Sequence, residues 1–224
     1  MTIYERALEF VRDGDCVGLG SGRAASEFIR LLGQRCREGL HISGVPTSAA
    51  SERLAREVGV PLVDLSAAIP LALTVDGADE VDPELQLIKG YGRALVRERI
   101  VAAASQQLVI LVGKEKCVER LGSHGKLPLE VVPFAVPLVL YRLEKLGMPG
   151  RLYEEAGRVF VSDNGNAIID CHISALNDPV AVQHTLQDIP GVVGTGLFLG
   201  MADIVLIGDE HQGFVPLEER RRGR

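Results

Sequence analysis

An apolar run at 69–75 that breaks directly into Asp-Gly-Ala-Asp-Glu limits what this chain can become more than any other feature. Its length and composition suit a parallel strand buried on both faces. Open parallel sheets bind ligands at the carboxyl ends of their strands, so Asp76 and Asp79 are expected where chemistry is done. A glycine-containing segment follows, with Lys89 in KGYG, and then a helical pattern over 93–105 that carries Glu98. Three acids of this group and one ammonium therefore arrive within 23 residues.

The rest of the first half supplies the sheet around that strand. Apolar spacing predicts a helix over 3–12, a strand over 16–19 and a helix after the glycine turn at 20–22. A second strand at 41–45 leads through Pro46 into a helix ending near 58, and short strands follow at 60–63 and 108–112. The alternation is that of a Rossmann-like open parallel sheet. Beyond it the character changes. Strands at 129–132, 158–161, 167–173 and 194–198, with helices at 135–146 and 178–187, give β-α-β-β-α-β, the order of a ferredoxin-like unit. The hairpin signal is the Asn-Gly turn at 164–165. The expected organisation is α/β: a Rossmann-like domain over 1–127, a smaller ferredoxin-like α+β domain over 128–200, and a return strand with a tail over 201–224.

Composition narrows the class. With 224 residues and 46% apolar content the chain can bury one large core or a core with a smaller partner. No apolar run reaches membrane-spanning length and the N-terminal ten residues include acids, so neither a membrane contact nor a secretory signal is expected, and a cytoplasmic location is. A net charge of −6 offers no general attraction to nucleic acid. The arginine-rich end, 218–224, reads as an ordinary disordered terminus. Cys16, Cys36, Cys117 and Cys171 are widely spaced and read as reduced thiols. The five histidines show no HxH or HExxH spacing, so no metal or other cofactor is expected. No GxSxG or Cys/His nucleophile arrangement occurs.

Each candidate residue has a plain and a functional reading. Gly20, Ser21 and Gly22 stand at a strand-to-helix turn where glycine allows close approach and following amides can bind an anion; a generic turn is the alternative. Thr47 and Ser48 can cap a helix, hold a phosphate, or both. Glu98 shares a helix face with Ala94, Val101 and Ala102, so burial should push its carboxyl up toward the range of a general base; the alternative is a surface acid paired with Arg97 or Arg93. Lys89, between segments made pliable by Gly90 and Gly92, can stabilise developing negative charge or be a loop lysine. Asp79 and Glu80 can also be capping or loop acids.

Five stretches, taken together, carry a resemblance: DGADE at 76–80, KGYGRALVRE at 89–98, LPLEVVPFA at 127–135, SDNGNAIID at 162–170 and GVVGTGLF at 191–198. In that order and spacing the chain resembles the ribose-5-phosphate isomerase A family over nearly its whole length. The resemblance implies a metal-independent aldose–ketose isomerase of the pentose phosphate pathway's non-oxidative branch. It implies a small sugar phosphate as ligand and a homodimer or homotetramer. It also implies Glu98 as the base, Lys89 as the charge-stabilising lysine and Asp76 and Asp79 as active-site aspartates. The family's GTGST loop falls on Gly20-Ser21-Gly22-Arg23-Ala24, keeping one hydroxyl and gaining an arginine. Its KGGGGA becomes KGYGRA, which brings Tyr91 and Arg93 near the site, and its lysine in the GKEKC loop falls on Lys116. Three other readings have less support. A sugar-phosphate sensor should carry a DNA-binding segment, a nicotinamide enzyme should complete GxGxxG, and a CoA transferase would not need the lysine–carboxylate set.

Overall fold

The computed structural model describes residues 1–209 and 215–223. In chain order, α1 (Ile3–Leu8), β1 (Cys16–Leu19), α2 (Arg23–Arg37), β2 (Ser43–Pro46), α3 (Ala49–Val58), α4 (Leu65–Ala68) and β3 (Leu73–Gly77) come first. Two short strands, β4 (Glu80–Val81) and β5 (Leu87–Ile88), precede α5 (Leu95–Ala103) and β6 (Leu108–Gly113). Then follow β7 (Lys126–Val131), α6 (Val136–Lys145), β8 (Gly150–Leu152), β9 (Glu154–Glu155), β10 (Arg158–Val159) and β11 (Ala167–His172). The last are α7 (Pro179–Gln187), β12 (Val192–Thr195), β13 (Leu197–Phe198), β14 (Ile204–Asp209) and β15 (Val215–Arg221).

The chain divides into two compact units. The first comprises Met1–Ala78, Arg97–Cys117 and Gly200–Arg224. Its six-stranded sheet runs β15-β14-β6-β3-β1-β2, parallel except for the edge strand β15. Because β2 lies on one side of β1 and β3 on the other, the strand order reverses at β1, the kind of switch point at whose carboxyl edge open parallel sheets bind ligands. One face packs Val17, Leu19, Val75 and Leu111 against Phe28, Ile29 and Leu32 of α2 and Ile3 and Ala7 of α1. The opposite face sets Val45 and Leu71 against Val101 of α5. Gly18 is needed there, since a Cβ would collide with Thr74 and Val101.

The second unit comprises Asp79–Val96 and Val118–Leu199. Its antiparallel sheet runs β12-β7-β11-β8. Numbered by order of appearance, those strands lie 4-1-3-2, with α6 and α7 as the two crossovers, which is the ferredoxin-like arrangement. Leu127, Leu129 and Val131 face Val139, Leu143, Ile169, Cys171 and Leu186 in its core. A three-stranded sheet, β13-β5-β4, completes the unit.

Several local expectations change. The strand expected at 69–75 begins only at Leu73, after the Ile69-Pro70 step, and runs through Gly77. Asp76 therefore lies inside the strand. Residues 60–63 form no strand; Leu62 makes a single bridge with Gly44. The helix expected at 3–12 stops at Leu8. The Asn-Gly turn forms, with Gly165 N–H donating to Ser162 O and Ser162 N–H to Asn166 O. Its flanks, however, share one bridge only, Val161 to Ala167. β10 pairs with β9 across Ala156-Gly157, both at positive φ, and β11 takes β8 instead. The segment 194–198 is divided at Gly196 between two sheets. Residues 218–221 are not a disordered end: they belong to β15, hydrogen-bonded along β14. Among the described residues no helix is long and apolar enough to cross a membrane.

Candidate active site

In the first unit the site residues collect at the carboxyl ends of β1, β2 and β3. Asp76 is 1% exposed. Its Oδ1 accepts the backbone N–H of Ser21 at 3.0 Å and of Gly77 at 2.7 Å. Two amides on one carboxylate oxygen fix the rotamer. Gly20 N–H donates to Val75 O, and a Cβ at Gly20 would run into the Asp76 carboxylate. Glycine at position 20 is thus a requirement of this close approach.

The Ser21 hydroxyl lies 2.8 Å from both Thr47 Oγ1 and Ser48 Oγ. Thr47 Oγ1 is in turn 3.0 Å from Leu19 O, and Ser48 Oγ 3.0 Å from Ser51 Oγ. Ser48 also caps α3 by accepting the Ser51 N–H at 3.1 Å. Capping and membership of the hydroxyl cluster therefore coincide in one side chain. Ser51 was not singled out by sequence, because a serine three residues into a helix carries no local mark of facing a site. Gly22, at φ +87°, is the N-cap of α2 and offers no side-chain cap. Arg23 is the first, exposed residue of that helix. Lys116 is half-buried in the turn that follows β6, at the same edge of the sheet.

Glu98 lies in the first turn of α5 and is 3% exposed. Three residues on, Val101 packs over Gly18 and Thr74, and this contact turns the Glu98 face inward. The far end of the helix is tied to the amino end of β3, where Leu71 bridges Ser105 and Thr74 Oγ1 lies 2.6 Å from Ser105 Oγ. The first turn of α5, with Glu98, consequently points toward the carboxyl edge of the sheet. A carboxylate at a helix N-terminus is also favoured by the helix dipole.

In the second unit, Lys89 follows β5 and is 3% exposed. Its N–H donates to Gly196 O at 2.8 Å and its ammonium lies 5.5 Å from the centroid of the Phe198 ring. Gly196 must be glycine, since a Cβ would strike Lys89 O. Asp79 is tethered at both ends: its N–H donates to Ile88 O, and its Oδ2 accepts the Tyr91 N–H at 2.9 Å. Gly90, at φ +105°, and Gly92 lie in the same segment. Arg93 stands in the same segment. Its guanidinium forms a two-pronged pair with Asp170 and stacks on Tyr153. Glu80 is neither capping nor exposed: fully buried, it accepts the backbone N–H groups of Gly122 and His124 at 2.6 and 2.7 Å. Burial and the neighbouring Asp79 and Glu80 push the Tyr91 hydroxyl upward, so it stays protonated. Among the described residues no group of three or more His, Cys, Asp or Glu is placed to hold a metal.

Comparison with known proteins gives a consistent result. The family model described as ribose 5-phosphate isomerase A (phosphoriboisomerase A) matches residues 43–212. The ribose-5-phosphate isomerase A of Roseiflexus castenholzii is 46% identical over 217 residues, covering 96% of this chain and 92% of its own. That of Gloeobacter violaceus is 46% identical over 93% of this chain and 91% of its own. Among solved structures, ribose 5-phosphate isomerase A from Methanocaldococcus jannaschii aligns with a TM-score of 0.91 at 35% identity, covering 98% and 96% of the two chains. A D-ribose-5-phosphate isomerase in complex with phospho-erythronic acid aligns at 0.92, with the same identity and coverage.

Proposed function

The chain belongs to the ribose 5-phosphate isomerase A family, and from that membership we propose how it interconverts D-ribose 5-phosphate and D-ribulose 5-phosphate. The reaction moves a proton from C2 to C1 while the carbonyl moves the other way. The C2 hydrogen is acidic only in the open-chain aldehyde, so the ring must open first. Asp76 and Asp79 assist that opening and pass protons between O1 and O2. Glu98 takes the C2 proton and returns it to C1 through a cis-enediolate, and Lys89 stabilises the negative charge on the enediolate oxygens. Gly20, Ser21, Gly22, Arg23, Thr47, Ser48 and Lys116 form the phosphate site. Gly90 and Gly92 let the backbone beside Lys89 approach the sugar.

The observation that carries this reading is the burial of Glu98 on a helix face otherwise made of Leu95, Val101 and Ala102. Holding a carboxylate out of water costs several kcal/mol. A surface ion pair would not require that. The Glu98→Gln variant keeps the volume and removes the base, so turnover should fall ~10²–10⁴-fold while substrate affinity by calorimetry stays within about threefold. Retention of more than roughly a tenth of wild-type turnover would take the role from Glu98. Isomerisation in heavy water should place solvent deuterium at C1, and activity should survive exhaustive chelation. Full retention of the substrate's own C2 hydrogen with loss of activity on chelation would indicate a metal-assisted shift instead.

The reading includes a cytoplasmic homodimer or homotetramer. Association of copies is supported by Phe134, Leu138 and Tyr141, which recur at i, i+4, i+7 with Phe134 96% exposed. A single monomeric species in sedimentation at micromolar concentration would contradict it.

A further inference from the structure

The loop that carries Lys89 is fastened by side chains that no sequence motif connects. Arg93 sits at φ +68°, a left-handed conformation that a non-glycine residue adopts only at a cost. Its N–H closes a tight turn onto Gly90 O at 2.9 Å. Something must hold a strained arginine between two small neighbours, and its own guanidinium does so. Nη1 and Nη2 donate to Oδ1 and Oδ2 of Asp170 at 2.6 and 3.0 Å. The guanidinium carbon lies 3.6 Å from the centroid of the Tyr153 ring.

Asp170 reaches the loop by a second route. Lys126 Nζ lies 3.9 Å from its Oδ2 and 3.7 Å from the centroid of the Tyr91 ring. The Tyr91 hydroxyl donates to Lys126 O at 3.3 Å. One carboxylate thus steadies both non-glycine side chains of the segment 90–93. The Arg93 side chain is 10% exposed and that of Asp170 21%, so solvent screens this two-pronged pair little. The anchor itself is rigid, because Asp170 lies in β11 between Pro128 of β7 and Arg151 of β8. With both prongs of the fork engaged by Asp170, Arg93 acts as a strut and not as a sugar ligand.

We propose that Asp170 is a positioning residue: through Arg93 and Lys126 it holds the segment from Lys89 to Ala94 in the conformation that presents Lys89 to the sugar. The inference rests on the role given to Lys89 above. Asp170→Asn keeps the volume, removes the charge and leaves Arg93 strained without its counter-ion. A misplacement of about 1 Å is enough to cost ~10²-fold in rate, so kcat should fall about 10–100-fold with KM within about threefold. Amide exchange of a peptide covering 89–94, read by mass spectrometry, should rise about tenfold or more. Glycine accepts φ +68° without strain. In an Arg93→Gly background, therefore, the loss caused by Asp170→Asn should shrink at least threefold.

Unchanged kcat and exchange in Asp170→Asn would overturn the proposal, as would an equal loss in both backgrounds. If Asp170→Asn does not fold, Tyr153→Leu decides. It removes the ring on which Arg93 stacks, together with that ring's edge contact with Phe160, and should raise exchange at 89–94 and lower kcat more than it changes KM; no change in either rejects the clamp. Should the wild-type protein fail to isomerise ribose 5-phosphate, the isomerase reading falls by itself, and exchange at 89–94 still judges the clamp.

Discussion

Burial acts most plainly on the thiol of Cys171, in the core of the second unit. Desolvation, with a smaller contribution from neighbouring Asp170, pushes it up from 9.0 to about 12. Below pH 9 the thiol is protonated whether the chain is folded or not, and no stability is lost. Between pH 9 and about 12 the unfolded chain ionises and the folded one does not, so stability falls with rising pH by as much as about 4 kcal/mol. Denaturant titrations of wild type and Cys171→Ala at pH 8, 9, 10 and 11 test this: the variant should start lower and descend less steeply. Parallel descents would remove Cys171 from the alkaline response. Other residues mark the limit of local reading. The alternation in LPLEV puts Glu130 on the side of β7 away from the core, as though exposed. Instead it is fully buried, and its Oε1 accepts from Ser162 Oγ, Asn164 Nδ2 and Asn166 Nδ2 at 2.8–2.9 Å. The DNGN turn that covers Glu130 lies more than thirty residues away in sequence, and no local pattern shows that it folds back there.

At the scale of elements, helix α2 is where sequence and geometry agree best and where this chain differs most from the pattern it resembles. The strand–glycine–helix order is legible because Gly20 and Gly22 answer separate needs, a close approach to Asp76 and a φ of +87°. What replaces the usual hydroxyl is Arg23, in the first turn of α2 and two residues from the Ser21–Thr47–Ser48 cluster. A guanidinium fork matches phosphate, and such charge-assisted bonds contribute about 1.5–3 kcal/mol. Arg23→Ser should therefore raise KM for ribose 5-phosphate about 10–150-fold, with kcat little changed, because phosphate is held equally in ground and transition states. The unphosphorylated sugar should lose far less. Equal small effects on both sugars would return phosphate binding to the hydroxyls and amides alone. Element boundaries were harder to read than element types. The paired flanks expected around Asn164-Gly165 lost to a second reversal at Ala156-Gly157, where the positive φ of an alanine has no signal in the sequence.

The molecule as a whole depends on an end that its composition disguises. Residues 218–221 read as a charged, disordered tail, yet β15 runs antiparallel to β14 and closes one edge of the six-stranded sheet. Arginine and glutamate suit that place, since a charged edge strand discourages pairing between molecules. Beside it in the sheet run Ile204, Val205, Leu206 and Ile207, all buried. The ion pair between Arg6 and Glu219, 2.9 Å apart and partly exposed, contributes on the order of 1 kcal/mol or less. Covering an apolar strand and its backbone amides is worth more, several kcal/mol if only part of each side chain's ~1.5–3 kcal/mol is lost. Two changes can therefore be ranked in advance. Glu219→Ala should lower the melting temperature by no more than about 4–5 °C, even allowing for both arginines it faces. A chain ending at Asp209 should expose β14 as a flat apolar edge, and it should precipitate or elute as large aggregates where the full chain gives one sharp peak. If the shortened chain eluted and melted like the full one, the sheet would be stable without its last strand. A larger effect from Glu219→Ala than from truncation would make the ion pairs, and not the strand, the reason for this end of the chain.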